Sequence, residues 1–531
     1  MHHPLDSSAR AGSSNSPVRE RLALTPSGVG LGLLVFAIIW LVALGFTTSS
    51  APSDNIEQLT WVRSLEWGYY KHPPLPTWLI WLPVQVFGLS VWVSYLMGAV
   101  LTLGAFAIMW RLLRTLRGSA FADIALMAGL CLTYYNKRLF YYNHNVVLLL
   151  LSVACAALLW QAYTSRRLRW WIALGVAIGL GALTKYQIAV TVVSVLAFVA
   201  HQRAWRDPAH RVGLLGAGLT ALLLLVPHIE WLRGHDFGPI GYAVESSLGV
   251  GLGAPARIEN TLLWLVDQLL SRGVPAFALL GVAAWQLRRS GSAPRALSLT
   301  PSTPDRDPAR ALIFAWGIVP LCLMPLIGIF LGAELKGHWG TAFLIFAVPA
   351  AMELAPRGFW DRIDWLKLLP AFLVIQGALL SEEFAVSSDG RASFGFHHLK
   401  ALDSAAYAKV IADRARAELG GRIHVVSGPE RQAGILAIEL PDKPLVLIDG
   451  RPDRSPWISA GLVDRCGAVE LGSTAVAGLT RRVEVGPLAP AARYADVHID
   501  PVGAEPVGPM LPGLSWRVRL PKPGAPPCEL T

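Results

Sequence analysis

The chain is short of charged residues: they make up 15% of its 531 residues, whereas 53% are hydrophobic. A soluble globular domain carries about a quarter charged residues, so the soluble classes are excluded. Several apolar runs, such as Ala311–Phe330, exceed the roughly 18 residues that can span a bilayer. The composition therefore predicts a polytopic α-helical membrane protein.

Cysteine is also scarce, with five residues in the chain. Cys131, Cys155 and Cys322 fall in apolar runs and are expected to be inert packing residues. Cys466 and Cys528 fall in the polar C-terminal part, where an oxidising compartment would allow one disulfide, although no spacing rule identifies the pair. The spacing of His, Cys and Asp nowhere resembles a zinc site, so we predict no metal cage built by the protein.

A cleavage site of small residues is missing after the first hydrophobic run, Gly28–Gly45. We therefore predict a cytoplasmic N-terminal tail over residues 1–28 and a first span that is retained. Hydropathy and helix-breaking residues predict about eleven spans in all. Their approximate ranges are 29–49, 91–111, 119–135, 145–163, 170–184, 187–202, 212–232, 260–287, 311–331, 339–355 and 368–384.

The net charge of +10 does not indicate a nucleic-acid partner, because the basic residues follow the predicted topology. Basic clusters precede the first span and lie in the linkers after every second span, as the positive-inside rule requires for a cytoplasmic N-terminus. They include Arg111, Arg114 and Arg117, then Arg203, Arg206 and Arg211, and later Arg357, Arg362 and Lys367. An odd number of spans that starts inside places the chain after about residue 385 outside.

Residues 385–531 are polar, rich in proline and glycine, and free of spanning runs. Helical periodicity over Ala405–Leu419 and Arg431–Leu440, with strand-like segments at Arg422–Ser427 and Pro444–Ile448, predicts a small α/β domain. The closing segment, Gly503–Thr531, contains seven prolines and is predicted to run as an extended surface tail.

Polar and aromatic side chains cluster at the predicted extracytoplasmic ends of different spans, although such groups are costly near lipid. The first cluster lies in the predicted loop 50–90, where Asp54–Trp78 reads DNIEQLTWVRSLEWGYYKHPPLPTW. The others are Tyr134–Asn145, Thr184–Tyr186, His228–Phe237 and Glu334–Trp339. Any one of these residues alone is more readily explained as an anchor at the membrane interface than as part of a site. Chance, however, would scatter such residues over both faces of the membrane. The set therefore predicts one site.

The side chains of these clusters suit glycosyl transfer from a phosphate-linked sugar. Asp54 can act as a general base toward an acceptor hydroxyl, and Glu57 lies one helical turn further on. Basic groups stabilise a donor phosphate, and the candidates are Lys71, His72, Lys137, Arg138, Lys185 and Lys336. The candidates for sugar or acceptor binding are Trp67, Tyr69, Tyr70, Asn143, His144, Asn145, Tyr186, His338 and Trp339.

In their order along the chain, these motifs resemble those of the dolichyl-phosphate-mannose protein mannosyltransferase-like superfamily, which includes the aminoarabinose transferases that act on lipid A. The matching segments are Trp67–Leu75 with Asp54 before it, Leu183–Tyr186, Pro227–Phe237 and Lys336–Trp339. The resemblance covers about residues 30–355, and the ordered set is specific although each short motif is not.

The resemblance implies the GT-C fold, which we assign to residues 29–384, whereas periodicity and topology predict the periplasmic α/β domain over 385–531. It implies an inverting glycosyltransferase of a bacterial inner membrane, with the donor sugar on undecaprenyl or a similar polyprenyl phosphate. Asp54 would be the loop aspartate, and Lys71, Lys185 and Lys336 would be candidates for the donor phosphate. The acceptor would be lipid A, the lipopolysaccharide core, another glycolipid or a protein. No cofactor is expected; a divalent metal is not expected either, although the sequence leaves that point open.

The chain departs from the family pattern at two places. Asn55 replaces the glutamate of an Asp-Glu pair, so that Glu57 is the only other acid available on the same helix. Asn143-His144-Asn145 stands where many members carry an aspartate, and a neutral amide cannot act as a base. Both departures put more weight on Asp54.

Two other functions are compatible with a polar loop beside a membrane. A transporter or flippase of a lipid-linked substrate would place its polar groups near the bilayer midplane on broken helices, whereas here they lie at one surface. A structural or assembly protein would only bind lipid head groups, and Asp54 would then be expendable.

Overall fold

The computed structural model describes residues 23–48, 50–248, 251–289, 307–387, 404–472, 498–500 and 514–528. Most of the predicted N-terminal tail, 1–28, lies outside the described residues. Up to residue 387 the described chain is mainly helical. The helices are α1 (Pro26–Thr47), α2 (Ser53–Trp61), α3 (Leu75–Phe87), α4 (Val91–Arg117), α5 (Ser119–Gly129), α6 (His144–Ser165), α7 (Leu168–Ala182), α8 (Ile188–Gln202), α9 (Pro208–Gly234), α10 (Gly238–Ala243), α11 (Ala254–Val266), α12 (Val274–Arg289), α13 (Pro308–Gly317), α14 (Val319–Leu331), α15 (Ala347–Met352) and α16 (Leu369–Ser387).

Long apolar helices dominate this part of the molecule. Within the described ranges, six helical segments are long and apolar enough to cross a membrane: α1, α4, α6, α9, α11 with α12, and α13 with α14. The 22 residues of α1, for example, rise about 33 Å, close to the thickness of a bilayer's hydrocarbon core. The helices α3, α5, α7 and α8 are also apolar but shorter, at 10–17 residues. A polytopic helical protein is indicated, but the predicted count of eleven spans is not confirmed.

The segment 339–355, predicted as the tenth span, is not one continuous helix. It consists of 3-10 turns over Gly337–Ala342 and Leu344–Phe346, followed by the six-residue α15. Side chains from other elements bind its backbone: the Tyr135 hydroxyl donates to the carbonyl oxygen of Thr341 at 2.7 Å. These tertiary hydrogen bonds replace the regular ladder that a spanning helix would need.

Ion pairs join three of the linkers predicted to be cytoplasmic. Arg117 at the end of α4 pairs with Asp307 at 2.6 Å and with Glu353 at 2.5 Å. Arg357 also reaches Asp307, at 3.2 Å. The linkers that follow α4, α12 and α15 therefore meet at one end of the bundle, as the predicted topology requires of segments on one side of a membrane.

The C-terminal part folds around a five-stranded mixed sheet. Its elements are α17 (Ser404–Leu419), β1 (Val425–Gly428), α18 (Glu430–Glu439), β2 (Leu445–Ile448), α19 (Leu462–Cys466), β3 (Ala468–Gly472), β4 (His498–Asp500) and β5 (Leu514–Arg519). The strand order is β2-β1-β3-β5-β4, in which β1 is parallel to β2 and β3, and β5 is antiparallel to β3 and β4. One cluster of buried apolar residues includes both Ile56 of the helical part and Leu436 of α18, so this sheet domain and the bundle share a core.

The prediction of an extended tail over Gly503–Thr531 is wrong for its middle. Leu514–Arg519 forms β5, with Trp516 and Val518 buried. Prolines bracket this stretch but none lies within it, so each residue keeps the N–H group that a sheet ladder requires.

Cys466 and Cys528 form a disulfide, with their Cα atoms 4.8 Å apart and a sequence separation of 62. A cross-link that closes a loop of this length stabilises the fold by about 4 kcal/mol in the chain-entropy model. We therefore expect Cys466→Ser with Cys528→Ser to lower the urea midpoint of the sheet domain strongly in pulse proteolysis of the purified chain. Cys322→Ser, a free cysteine outside the domain, serves as control, and equal midpoints for all three proteins would contradict the expectation.

Candidate active site

The short helix α2 carries the residue predicted as the general base. Asp54 lies in its first turn and is half-buried, whereas Ile56 and Leu59 are fully buried. Burial of this apolar side against the neighbouring helices fixes the orientation of α2, and with it the direction of its polar residues.

Asn55, one of the two departures from the family pattern, anchors α2 to the rest of the bundle. Its amide nitrogen donates to Ser94 Oγ and to the carbonyl oxygen of Phe140, both at 2.9 Å. Its amide oxygen accepts from the backbone nitrogen of Tyr142 at 3.1 Å. A carboxylate cannot supply the two donated hydrogen bonds, so the neutral residue has a structural role here.

We expect Asn55→Asp to destabilise the protein by about 3 kcal/mol, because it removes two buried hydrogen bonds and places a charge in a fully buried position. Thermal unfolding in detergent measures the loss. The matched control is Asn260→Asp, since the Asn260 side chain accepts one hydrogen bond from Leu335 N at 2.8 Å and an aspartate can still do so. Equal stability of the two variants would contradict the role assigned to Asn55.

Asp54 is held by Asn143, which belongs to the second polar cluster, Tyr134–Asn145. The Asn143 side-chain nitrogen donates to Asp54 Oδ2 at 2.8 Å. The Asn143 oxygen caps α6 by accepting from the backbone nitrogens of Asn145 and Val146 at 3.0 and 3.1 Å. An aspartate at position 143 could cap the helix in the same way but would present a second carboxylate to Asp54. The asparagine therefore meets both demands, and no described hydrogen bond occupies the other Asp54 oxygen.

Lys185 is bound by another residue at the start of α6. Its ammonium donates to Asn145 Oδ1 at 2.7 Å and stands 5.4 Å from the ring centre of Trp339. Burial lowers the pKa of Lys185 to about 8, although the nearby Asp54 carboxylate opposes that shift. Burial likewise lowers the pKa of His338 to about 4, with Lys185 adding to the effect. The charges of Asp54 and Lys185 thus both act on His338, which places the three side chains in one neighbourhood.

Lys71 belongs to a second, adjoining group. Its ammonium pairs with Glu57 at 2.8 Å and, at very short range, with Glu430 of the C-terminal domain. Burial raises the pKa of Glu57 to about 8, against the lowering effect of Lys71. Burial acts to lower the pKa of Lys71, but the two carboxylates raise it well above its ordinary value. The ammonium is therefore neutralised by protein acids, which disfavours Lys71 as the principal phosphate ligand.

Three side chains beside Lys71 form a possible metal site. Glu57, His72 and His144 each bring one ligand atom to within 4.8 Å of the others. One carboxylate and two imidazoles suit a transition-metal ion. The spacing of residues in the sequence predicts no such cage, because only the fold brings α2, the loop before α3 and the start of α6 together. Lys71 binds the same Glu57 carboxylate and would compete with a cation there.

The chain is similar in sequence to known proteins that transfer sugars. A family model described as dolichyl-phosphate-mannose-protein mannosyltransferase matches residues 71–231. The lipopolysaccharide core galacturonosyltransferase RgtA of Rhizobium johnstonii is 23% identical over 439 residues, which cover 81% of this chain and 84% of RgtA. The lipid A galacturonosyltransferase RgtD of the same species is 24% identical over 240 residues, which cover 43% of this chain and 49% of RgtD.

Solved structures show the same fold. The crystal structure of ArnT from Cupriavidus metallidurans in the apo state matches with a TM-score of 0.55 and 13% identity, covering 83% of this chain and 93% of ArnT. The structure of that protein bound to undecaprenyl phosphate matches with a TM-score of 0.52 and 15% identity, covering 93% and 98%. The chain is a glycosyltransferase, and it has the fold of ArnT. It is accordingly a multi-pass membrane protein.

In this glycosyltransferase the remaining predicted cations are not equivalent. Lys137 pairs with Glu382 at 2.5 Å, and Lys336 pairs with Glu334 at 2.6 Å. Arg138 instead lies 5.3 Å from the ring centre of Tyr141, and the described part of the chain shows no ion pair for it. Lys185 and Arg138 are thus the predicted cations whose charge is not balanced by a described ion pair.

The predicted aromatic residues of the glycosyltransferase are mainly structural. Tyr69 is buried, stacks on Trp61 at 4.7 Å and donates to the Ser64 carbonyl oxygen at 2.7 Å. The Tyr186 hydroxyl is hydrogen-bonded to His228 at 3.0 Å. Trp67 is 44% exposed and packs edge-on against Trp78, and its carbonyl oxygen is hydrogen-bonded to His228 Nδ1 at 2.6 Å.

Sequence reasoning missed Glu430 of the glycosyltransferase. Its carboxylate accepts from Trp61 Nε1 at 2.8 Å and from the Tyr70 hydroxyl at 2.9 Å, besides pairing with Lys71. The only available signal was its position at the start of a helix directly after a strand, where α/β domains often place functional groups. That signal does not point to a partner in the membrane domain.

Proposed function

We propose that this enzyme transfers an acidic sugar from a polyprenyl-phosphate donor to the lipopolysaccharide core or lipid A. Transfer occurs at the periplasmic face of a bacterial inner membrane, with the N-terminus in the cytoplasm. Residues 29–384 form the catalytic domain and 385–531 a periplasmic domain. The name of RgtA supports a core acceptor, that of RgtD supports lipid A, and undecaprenyl phosphate in ArnT supports the donor class.

The observation that carries the proposal is the pair of hydrogen bonds at the start of α6. Asn143 binds Asp54 and Asn145 binds Lys185, so one rigid helix end holds a base and a cation side by side. Fixed geometry of this kind lowers the barrier by placing the reacting groups before the reaction begins.

The reaction follows from these positions. The free oxygen of Asp54 accepts the proton of an acceptor hydroxyl, whose oxygen attacks the anomeric carbon of the donor sugar. The bond between that carbon and the phosphate oxygen breaks on the opposite face, so the configuration inverts. The polyprenyl phosphate leaves with the bonding electron pair, and Lys185 stabilises its added negative charge.

An acidic sugar is supported by both the relatives and the charges. RgtA and RgtD are named galacturonosyltransferases, and galacturonate carries a carboxylate. A polyprenyl-phosphate sugar has one phosphate charge, which Lys185 can balance. Arg138 then offers a second cation, close enough to lower the pKa of His338. A guanidinium is well suited to a carboxylate because it can donate two parallel hydrogen bonds.

Mass spectrometry of lipid A and core oligosaccharide from a deletion strain tests the proposal. We expect a hexuronate to disappear from one of these glycolipids and to return with the wild-type gene but not with Asp54→Asn. Unchanged envelope glycolipids would contradict it. A flippase would instead be indicated if Asp54→Asn restored the sugar fully.

A further inference from the structure

The C-terminal domain turns one edge of its sheet toward the loop between α2 and α3. The parallel strands β1 and β2 end at Gly428 and Ile448, so their carboxyl ends lie at the same edge. Glu430 follows β1 by two residues, and Arg454 follows β2 by six. Arg454 lies 4.9 Å from the ring centre of Tyr70. This edge is where open α/β sheets place groups that act on a partner.

The described side-chain hydrogen bonds of Glu430 go to the end of α2 and to the loop after it. Its two oxygens accept from Trp61, Tyr70 and Lys71, while its side chain is only 11% exposed. Bonds to an ionised, buried carboxylate are stronger than neutral ones. One side chain of the domain therefore binds both the end of α2 and the turn that follows it.

The packing of α18 against α2 is close enough for Glu430 to restrain the position of α2. Gly434 of α18 lies directly against α2: a methyl group there would overlap Ile56 Cγ2 and come within 2.9 Å of Thr60 Oγ1. Arg63, just after α2, donates to the carbonyl oxygen of Lys443 at 2.9 Å. The two helices therefore cannot shift relative to each other without breaking packed contacts.

We propose that Glu430 is a positioning residue of the transfer site, through which the C-terminal domain holds α2 and hence Asp54 in its catalytic orientation. The inference rests on the proposed function, because it takes Asp54 as the base. Together with Glu57, Glu430 also holds the Lys71 ammonium in ion pairs, which leaves the donor phosphate to Lys185.

Glu430→Gln tests the inference with little change in shape. The glutamine loses the charge that binds Lys71 and cannot accept all three hydrogen bonds at once. We expect kcat to fall at least about tenfold with undecaprenyl-phosphate galacturonate and lipid A, because misplacing a reacting group by a fraction of an ångström has effects of this order. KM for the donor should stay within about twofold, since Lys71 is not its ligand.

Glu439→Gln on the same helix is the matched control. Glu439 accepts one hydrogen bond, from Ser404 Oγ at 2.8 Å, and none of its described hydrogen bonds reaches the loop. Its kcat should stay within about twofold of wild type. A Glu430→Gln enzyme with wild-type kcat, or one in which only KM for the donor rises, would overturn the inference.

A double variant separates positioning from a general loss of stability. If Glu430 acts largely through Lys71, then Lys71→Met with Glu430→Gln should lose little more activity than Lys71→Met alone. If the activity losses of the two single variants multiply in the double variant, Glu430 does not act through Lys71. Should Glu430→Gln fail to fold, Gly434→Ala is the second test and should lower kcat, whereas Gly421→Ala, with open space at its Cα, should not.

The failure of the proposed function has a different signature. If Asp54→Asn retains full transfer, Asp54 is not the base and the proposed function fails. The coupling between Lys71 and Glu430 can still be measured by thermal unfolding in that case. If Asp54→Asn is inactive but no coupling between Lys71 and Glu430 is found, the positioning role of Glu430 is overturned and the proposed function stands.

Discussion

Asp54→Asn is expected to reduce kcat by a factor of about 10²–10⁴, the contribution that a positioned general base makes to a transfer reaction. The asparagine keeps the shape of the side chain and can still bind Asn143 after a rotation of either amide. It cannot accept the proton of the acceptor hydroxyl. The measurement is single-turnover transfer from undecaprenyl-phosphate galacturonate in liposomes, which separates the chemical step from product release.

Glu57→Gln provides the comparison within the same helix. Glu57 lies one turn from Asp54 but its carboxylate is bound to Lys71. That ion pair occupies the carboxylate, so Glu57 is not available to accept a proton from the acceptor hydroxyl. The change should therefore cost far less activity than Asp54→Asn. Equal losses for both variants would contradict the assignment of Asp54 as the base and favour Glu57.

Lys185→Met is expected to reduce kcat/KM for the donor by about 100-fold, because a charge-assisted bond to phosphate is worth about 3 kcal/mol. Lys185 also predicts a pH dependence. Burial lowers its pKa to about 8, so the ammonium that binds phosphate is present below that pH and is lost above it. In the wild type, kcat/KM should fall about tenfold per pH unit beyond pH 8 or so.

Lys185→Arg is the control for the pH dependence. The guanidinium stays protonated throughout the accessible range, so the alkaline decline should disappear even if the absolute rate is lower. An unchanged decline in Lys185→Arg would show that another group titrates, and would contradict the role given to Lys185.

Much of the site could be predicted from the sequence, because its members lie in short polar segments between apolar runs. Asp54, Asn143, Asn145 and Lys185 were selected in this way, and the structure brings them together through two hydrogen bonds. The sequence did not reveal what Asn143 does. Only the geometry shows that one amide both caps α6 and orients a carboxylate.

Other features depend on contacts that no local pattern encodes. Trp61 and Glu430 are 369 residues apart, yet they are hydrogen-bonded. The segment 339–355 has the hydropathy of a span, but tertiary hydrogen bonds hold it in short turns. The predicted cations are chemically alike in sequence, and only their carboxylate partners distinguish Lys71, Lys137 and Lys336 from Lys185.

Purified enzyme in liposomes, supplied with undecaprenyl-phosphate galacturonate and lipid A or core oligosaccharide, tests the central claim most directly. The wild type should release undecaprenyl phosphate in equal amount to the sugar gained by the acceptor. Asp54→Asn should bind undecaprenyl phosphate normally without transfer, whereas Lys185→Met should lose binding. Transfer that continues unchanged in both variants would contradict a site built on Asp54 and Lys185.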